Sequence, residues 1–231
     1  MKISLVCASF VLIGTNILSL GQTLTATHSL PFPPFTVTEG NLDADGFPVS
    51  GAKLCVLTKK DLCFQMPSEI YGSSEGTKYE FGLEPHYELL KLKDRGYWVF
   101  FSALFSGGGS GTLTRFAVLR YEGDNENGRI VNLLPYVAAT NVSEWAIWPL
   151  PDSSAFPVLV HADFVWGKGE YHFDSHFYTV EAWVFDSNVD KYVNAFEYKT
   201  SRKYSGGDSS PIRVLRPERN EILRRLKSVQ K

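Results

Sequence analysis

The sequence has little sulfur, with three cysteines and two methionines in 231 residues. That excludes a disulfide-dense scaffold and a four-cysteine zinc site. It has no excess of charge of either sign. Against 23 Lys and Arg stand 25 Asp and Glu, a net charge of −2 with pI near 6.2. Such a surface has no general attraction for phosphate, so no nucleic-acid partner is expected. After residue 21 no apolar run reaches the ~20 residues of a membrane span, so the mature chain is not expected to be transmembrane. Catalytic signatures are missing as well. Ser110 in Gly109-Ser110-Gly111 is no nucleophile elbow, because Thr112 stands where the second outer glycine must be, and Gly107–Gly111 does not open a helix as a phosphate loop must. What remains is ample apolar content, 44% hydrophobic and 14% aromatic, enough for a real core and too much for a disordered tail.

The first 21 residues read as a signal peptide. Lys2 is a short positive head, Ile3 to Leu20 is almost wholly apolar, and Ser19-Leu20-Gly21 places small residues where signal peptidase reads. Cleavage is expected before Gln22, giving a secreted or periplasmic protein. Gly14, Thr15 and Asn16 interrupt the apolar run, and Cys7 lies inside it rather than at a lipoprotein junction. Residues 22–231 are then one β-rich domain with two cysteines, Cys55 and Cys63. An even pair in an exported chain predicts a disulfide, here facing across a turn at Thr58–Asp61.

From Pro31-Phe32-Pro33-Pro34-Phe35 onward the text is β-like. Tyr97–Phe105 is aromatic and short, Thr112–Tyr121 alternates at period two, and Gly123–Gly128 is a turn cluster. The fold class is all-β, mostly antiparallel. One plan (strand, loop, strand, turn, strand) recurs at Val99–Pro135 and Val158–Tyr198, an offset of 59 setting Ala103 over Ala162 and Phe105 over Phe164. Ala52–Leu92 reads as a third, degenerate unit. Such meanders build propeller blades; three are too few to close a ring of about four or more, which leaves an open sandwich as the other architecture. Pro217-Glu218-Arg219 suits the first turn of a short C-terminal helix within 212–231, with Ile222, Leu223, Leu226 and Val229 on one stripe. That tail has seven basic and two acidic residues, so it is expected to lie back on an acidic body.

The densest polar text is Glu170-Tyr171-His172-Phe173-Asp174-Ser175-His176, with Asp163 shortly before. If extended, Glu170, His172, Asp174 and His176 project from one face, and with Asp163 they are candidate ligands for a divalent metal ion. The loop is expected to be exposed, with its histidines titrating in the physiological range. Asn41–Gly46 resembles the start of a calcium loop but lacks the closing acid, and an Asx turn explains it equally well. Trp166 and Trp148 flank loops, where their rings could stack on a ligand. The sequence is therefore read as a non-catalytic binding or structural module of the cell envelope or extracellular space, with an unidentified protein or glycan ligand. The alternative is a metal-dependent hydrolase using Asp163, Glu170, His172, Asp174 and His176.

Overall fold

Runs rich in Val, Phe, Tyr and Thr form strands where the alternation predicts them, and Gly and Asx clusters form the turns. The computed structural model describes residues 33–71, 77–93, 96–106, 112–123, 128–140, 142–149, 156–171, 174–205 and 213–229; the expected signal lies outside them. The first strands are β1 (Phe35–Thr38), β2 (Lys53–Val56), β3 (Lys59–Gln65), β4 (Glu69–Tyr71) and β5 (Thr77–Tyr79). Then come β6 (Leu83–Leu92), β7 (Gly96–Ser106), β8 (Thr112–Glu122), β9 (Arg129–Asn132) and β10 (Val137–Thr140). The last are β11 (Glu144–Trp148), β12 (Val158–Val165), β13 (Phe177–Asp186) and β14 (Lys191–Lys199), followed by helix α1 (Leu215–Val229).

All pairings between these strands are antiparallel. The first sheet is β1-β2-β3. The second is β10-β8-β7-β6, with β9 and β10 sharing one edge of β8, and the third is β11-β12-β13-β14. The β4-β5 hairpin stands apart, so Ala52–Leu92 is not a third meander: its strands divide among two sheets and a hairpin.

The sheets and α1 stack in four layers, more than the two or three usual in a domain. Phe35, Leu54 and Val56 of the first sheet pack with Met66 and Phe81 on Val99, Phe101 and Leu119 of the second. The opposite face of the second sheet, with Trp98, Phe100, Phe116 and Val118, packs on Leu159, Trp183, Phe185 and Tyr192 of the third. The far face of the third sheet, with Val158, Val160, Ala162 and Val180, is covered by Leu215, Ile222 and Leu226 of α1. A strand covered on both faces has no polar side to show. That is why Trp98–Ala103 and Val158–Ala162 are buried without a break.

The two meanders β6-β7-β8-β9 and β11-β12-β13-β14 share one strand order. Under the offset of 59, Phe100 falls on Leu159, and both enter the core between the two sheets. Phe101 falls on Val160, and both point away from it. Equivalent faces therefore meet each other, as in a sandwich, whereas successive propeller blades stack front to back. The long connection expected in both copies is confined to the second: residues 107–111 join β7 to β8, and residues 166–176 join β12 to β13.

The helix starts where Glu144 on β11 accepts hydrogen bonds from the Val214 and Leu215 amides, a carboxylate placed at the positive end of the dipole. Pro217 sits in the first turn, where its missing amide hydrogen is no loss. Leu215, Ile222 and Leu226 are buried, while Val229, expected on the same stripe, is 51% exposed. On the sheet side, the Tyr198 hydroxyl donates to Glu218 at 2.9 Å and the Arg225 guanidinium lies 4.3 Å from the Tyr198 ring centre.

Cys55 and Cys63 face each other directly in the β2–β3 register and are disulfide-bonded, with their Cα atoms 4.0 Å apart. They close a short loop, separated by eight positions in sequence. Replacing both by serine should lower unfolding free energy by about 2 kcal/mol, measured by urea denaturation against the oxidised wild type. A loss near zero would show that β2 and β3 are already held by their ladder alone.

Candidate functional site

The connection from β12 to β13 is the chemically diverse loop of the sequence, and its backbone is not the extended strand that the alternation suggested. It contains two turns of the same construction. The Gly167 amide donates to Glu170 Oε2 at 2.8 Å, and the Glu170 amide donates back to the Gly167 carbonyl at 3.2 Å. Four residues on, the Tyr171 amide donates to Asp174 Oδ2 at 2.7 Å and the Asp174 amide to the Tyr171 carbonyl at 2.9 Å. An acid three residues after the turn start thus closes each turn, the local competition by which Asp and Glu side chains displace a ladder. A Cβ at Gly167 would lie 2.4 Å from the Glu170 carboxyl carbon, so a larger residue there would push that carboxylate out of its place.

Glu170 is the hub. Besides Gly167 it accepts from Lys203 Nζ at 2.5 Å and pairs with His176 Nδ1 at 2.8 Å. Lys203 first, then His176 and the Gly167 amide, draw its pKa down to about 2. His176 is not exposed on the loop as expected: its side chain is only 1% exposed. Its ring lies 5.1 Å from that of Phe164 and 5.4 Å from that of Trp166, centre to centre. Its backbone exchanges two hydrogen bonds with Tyr204, at 2.9 and 2.8 Å. The segment after β14 therefore straps the loop down. Lys199 and Lys203 lie 4.7 and 5.6 Å from the Phe177 ring centre and add to the same fastening.

The other candidate ligands go elsewhere. Asp163, on β12, accepts from the Thr140 hydroxyl at 2.6 Å and the Phe164 amide at 2.9 Å. Asp174 closes its own turn, and His172 lies outside the described residues. Among the described residues no three His, Cys, Asp or Glu side chains gather as a metal site. Asp43, in the stretch resembling a calcium loop, accepts from the Asp45 and Phe47 amides at 3.0 and 2.9 Å, an Asx turn.

Trp166 is 56% exposed and Tyr171 78% exposed, so the clasp presents two aromatic rings to solvent. Trp148 does not join them; it is half-buried against the core under α1, with the Arg219 guanidinium 5.0 Å from its ring centre. Trp98, Trp145 and Trp183 belong to the core between the second and third sheets.

His161, on β12, faces the inter-sheet core and is 4% exposed, and among the described residues neither ring nitrogen has a hydrogen-bond partner. Glu181 stands opposite it in register, 3.9 Å away. The imidazole and the Trp183 indole, donating at 3.2 Å, hold the Glu181 carboxyl below its usual range against the opposing effect of burial. Lys203 and Tyr204 were not legible as site residues. They come from beyond β14, 33 and 28 positions from Glu170 and His176, and no local pattern marks them.

Because the Glu170 pKa is depressed, its contribution to stability is complete above about 4.5 and is lost as pH falls toward about 2. Glu170→Gln should therefore unfold at lower urea than wild type at neutral pH, with the gap closing through that acid window. A gap that stays constant from pH 7 to pH 2 would show that the charge of Glu170 is not what fastens the loop. Comparison with protein-family models, curated proteins and solved structures finds no match to this chain.

Proposed function

We propose that the protein is an exported, non-catalytic binding module of the cell envelope or extracellular space, with the loop between β12 and β13 as its recognition surface for a protein or glycan. The observation that carries this reading is the pairing of exposed aromatics with a fastened backbone. Trp166 and Tyr171 point to solvent from a segment tied at Gly167, Glu170, Asp174 and His176. Trp and Tyr are enriched among residues that dominate binding energy, and a loop ordered beforehand loses little entropy on association. Glu170 accepts from three donors, which uses its carboxylate for fastening rather than for proton transfer. The Cys55–Cys63 bridge suits an oxidising compartment, and among the described residues no helix is long and apolar enough to cross a membrane.

Mass spectrometry of the exported product should give Gln22 as its first residue; retention of Met1 would overturn the assignment to export. The Trp166→Ala/Tyr171→Ala double variant should keep the wild-type near-ultraviolet circular dichroism apart from the lost chromophores. Its affinity for immobilised envelope polysaccharides or envelope proteins should fall by about tenfold or more, equivalent to ~1.4 kcal/mol. Equal retention of variant and wild type on every surface that binds either would remove the loop from the recognition surface.

A further inference from the structure

A groove of about 300 Å³ opens at the edge of the core between the second and third sheets, lined by Leu92, Trp98, Phe156, Phe185, Arg120, Ser187 and Asp190. It is amphipathic by construction. Its floor is Leu92 and Trp98, both buried, and its apolar wall is Phe156 and Phe185. Phe156 stacks on Trp98 at 4.8 Å and meets Phe185 at 4.4 Å, ring centre to ring centre. The polar part of the lining comes from both sheets. Arg120 on β8 donates through both terminal nitrogens to the two oxygens of Asp190, each at 2.6 Å. Asp190 reaches it from the β13–β14 turn, where its φ of +56° is the left-handed conformation that Asp tolerates better than most residues.

The charges of that lining are balanced. Arg120 also donates to Glu122 from Nε at 2.7 Å, and Arg129 Nε donates to the other Glu122 oxygen at 2.7 Å. Two guanidinium groups face two carboxylates, Lys191 beside Asp190 stands opposite Asp186 in the strand register, and these contacts keep Arg120 cationic and Glu122 and Asp190 ionised. A charged ligand would have to compete with a pair already formed, at a cost that a small site does not return. A neutral ligand meets no such obstacle. An ionised carboxylate has about four acceptor positions, of which Arg120 occupies two on Asp190, so hydroxyl donors can still be received there and at Ser187.

We propose that this groove binds a neutral pyranose ring, its C–H face against Phe156 and Phe185 and its hydroxyls toward Asp190 and Ser187. The volume is at the lower end of ligand sites, roughly 300–1,000 Å³, and suits one sugar ring rather than a chain. The site is independent of the β12–β13 loop and does not rest on it.

The test uses the full exported chain with methyl glycosides of neutral hexoses and N-acetylhexosamines. A methyl hexuronoside is the charged control and indole the aromatic control, and amide and indole chemical shifts report location. Neutral glycosides should shift the Trp98 indole and the Ser187 and Asp190 amides saturably, in the range of about 1 mM. Ser187→Trp changes an exposed position and should fill the groove, abolishing those shifts while leaving the spectrum of the body intact. Asp190→Asn removes one carboxylate and leaves Arg120 in excess, so preference should turn from the neutral glycoside to the hexuronoside. The Trp166→Ala/Tyr171→Ala variant should bind as wild type does. Shifts produced by indole alone, equal binding of neutral and charged glycosides to wild type, or no saturable shift with any glycoside would each overturn the proposal.

Discussion

The face-to-face burial of two four-stranded meanders is the constraint on which the rest of this structure depends. Trp98, Phe100, Phe116 and Leu159 fill the space between them, and each large apolar side chain so buried contributes about 1.5–3 kcal/mol relative to exposure. A dozen buried residues of this cluster outweigh the disulfide, at about 2 kcal/mol, and any exposed ion pair, at ~0–1 kcal/mol. The polar contacts at its edges act on register instead. Arg120 with Asp190, and Lys191 donating to the Asn132 carbonyl, tie one sheet to the turn of the other at one end.

Burying one face of each meander leaves two outer apolar faces, and the outer layers follow from that. The short β1-β2-β3 sheet covers Val99, Phe101 and Leu119, and α1 covers Val158, Val160 and Ala162. The helix is placed by its ends as well as by its stripe. Glu144 receives its first amides, and Glu218 receives the hydroxyls of Tyr198 and Tyr204. Tyr204 links helix and loop, because its backbone pairs with His176 while its hydroxyl reaches Glu218. The loop that presents Trp166 and Tyr171 is thus held by the strap and helix that close the last layer.

Much of this was legible residue by residue. Alternation located β8 and much of β13, the aromatic run located β7, and the spacing of Cys55 and Cys63 across a turn located their bridge. The site was legible only as composition. Glu170, Asp174 and His176 stood out, but period-two spacing suggested one exposed face where the carboxylates instead close turns and the imidazole is buried. A short-range hydrogen bond from carboxylate to amide competes with extended pairing, and alternation alone does not say which wins.

The sequence by itself determined the strand-forming segments, the disulfide, the C-terminal helix and the repeated meander, because each depends on contacts within a few residues or on a period. Only the tertiary structure decided that the meanders meet by equivalent faces, that Trp148 is half-buried while Trp166 is exposed, and that Lys203 and Tyr204 complete the loop. The physical reason is that a strand apolar on both sides carries no mark of which side meets which partner. That choice is made by the shapes and charges of segments far away in the chain.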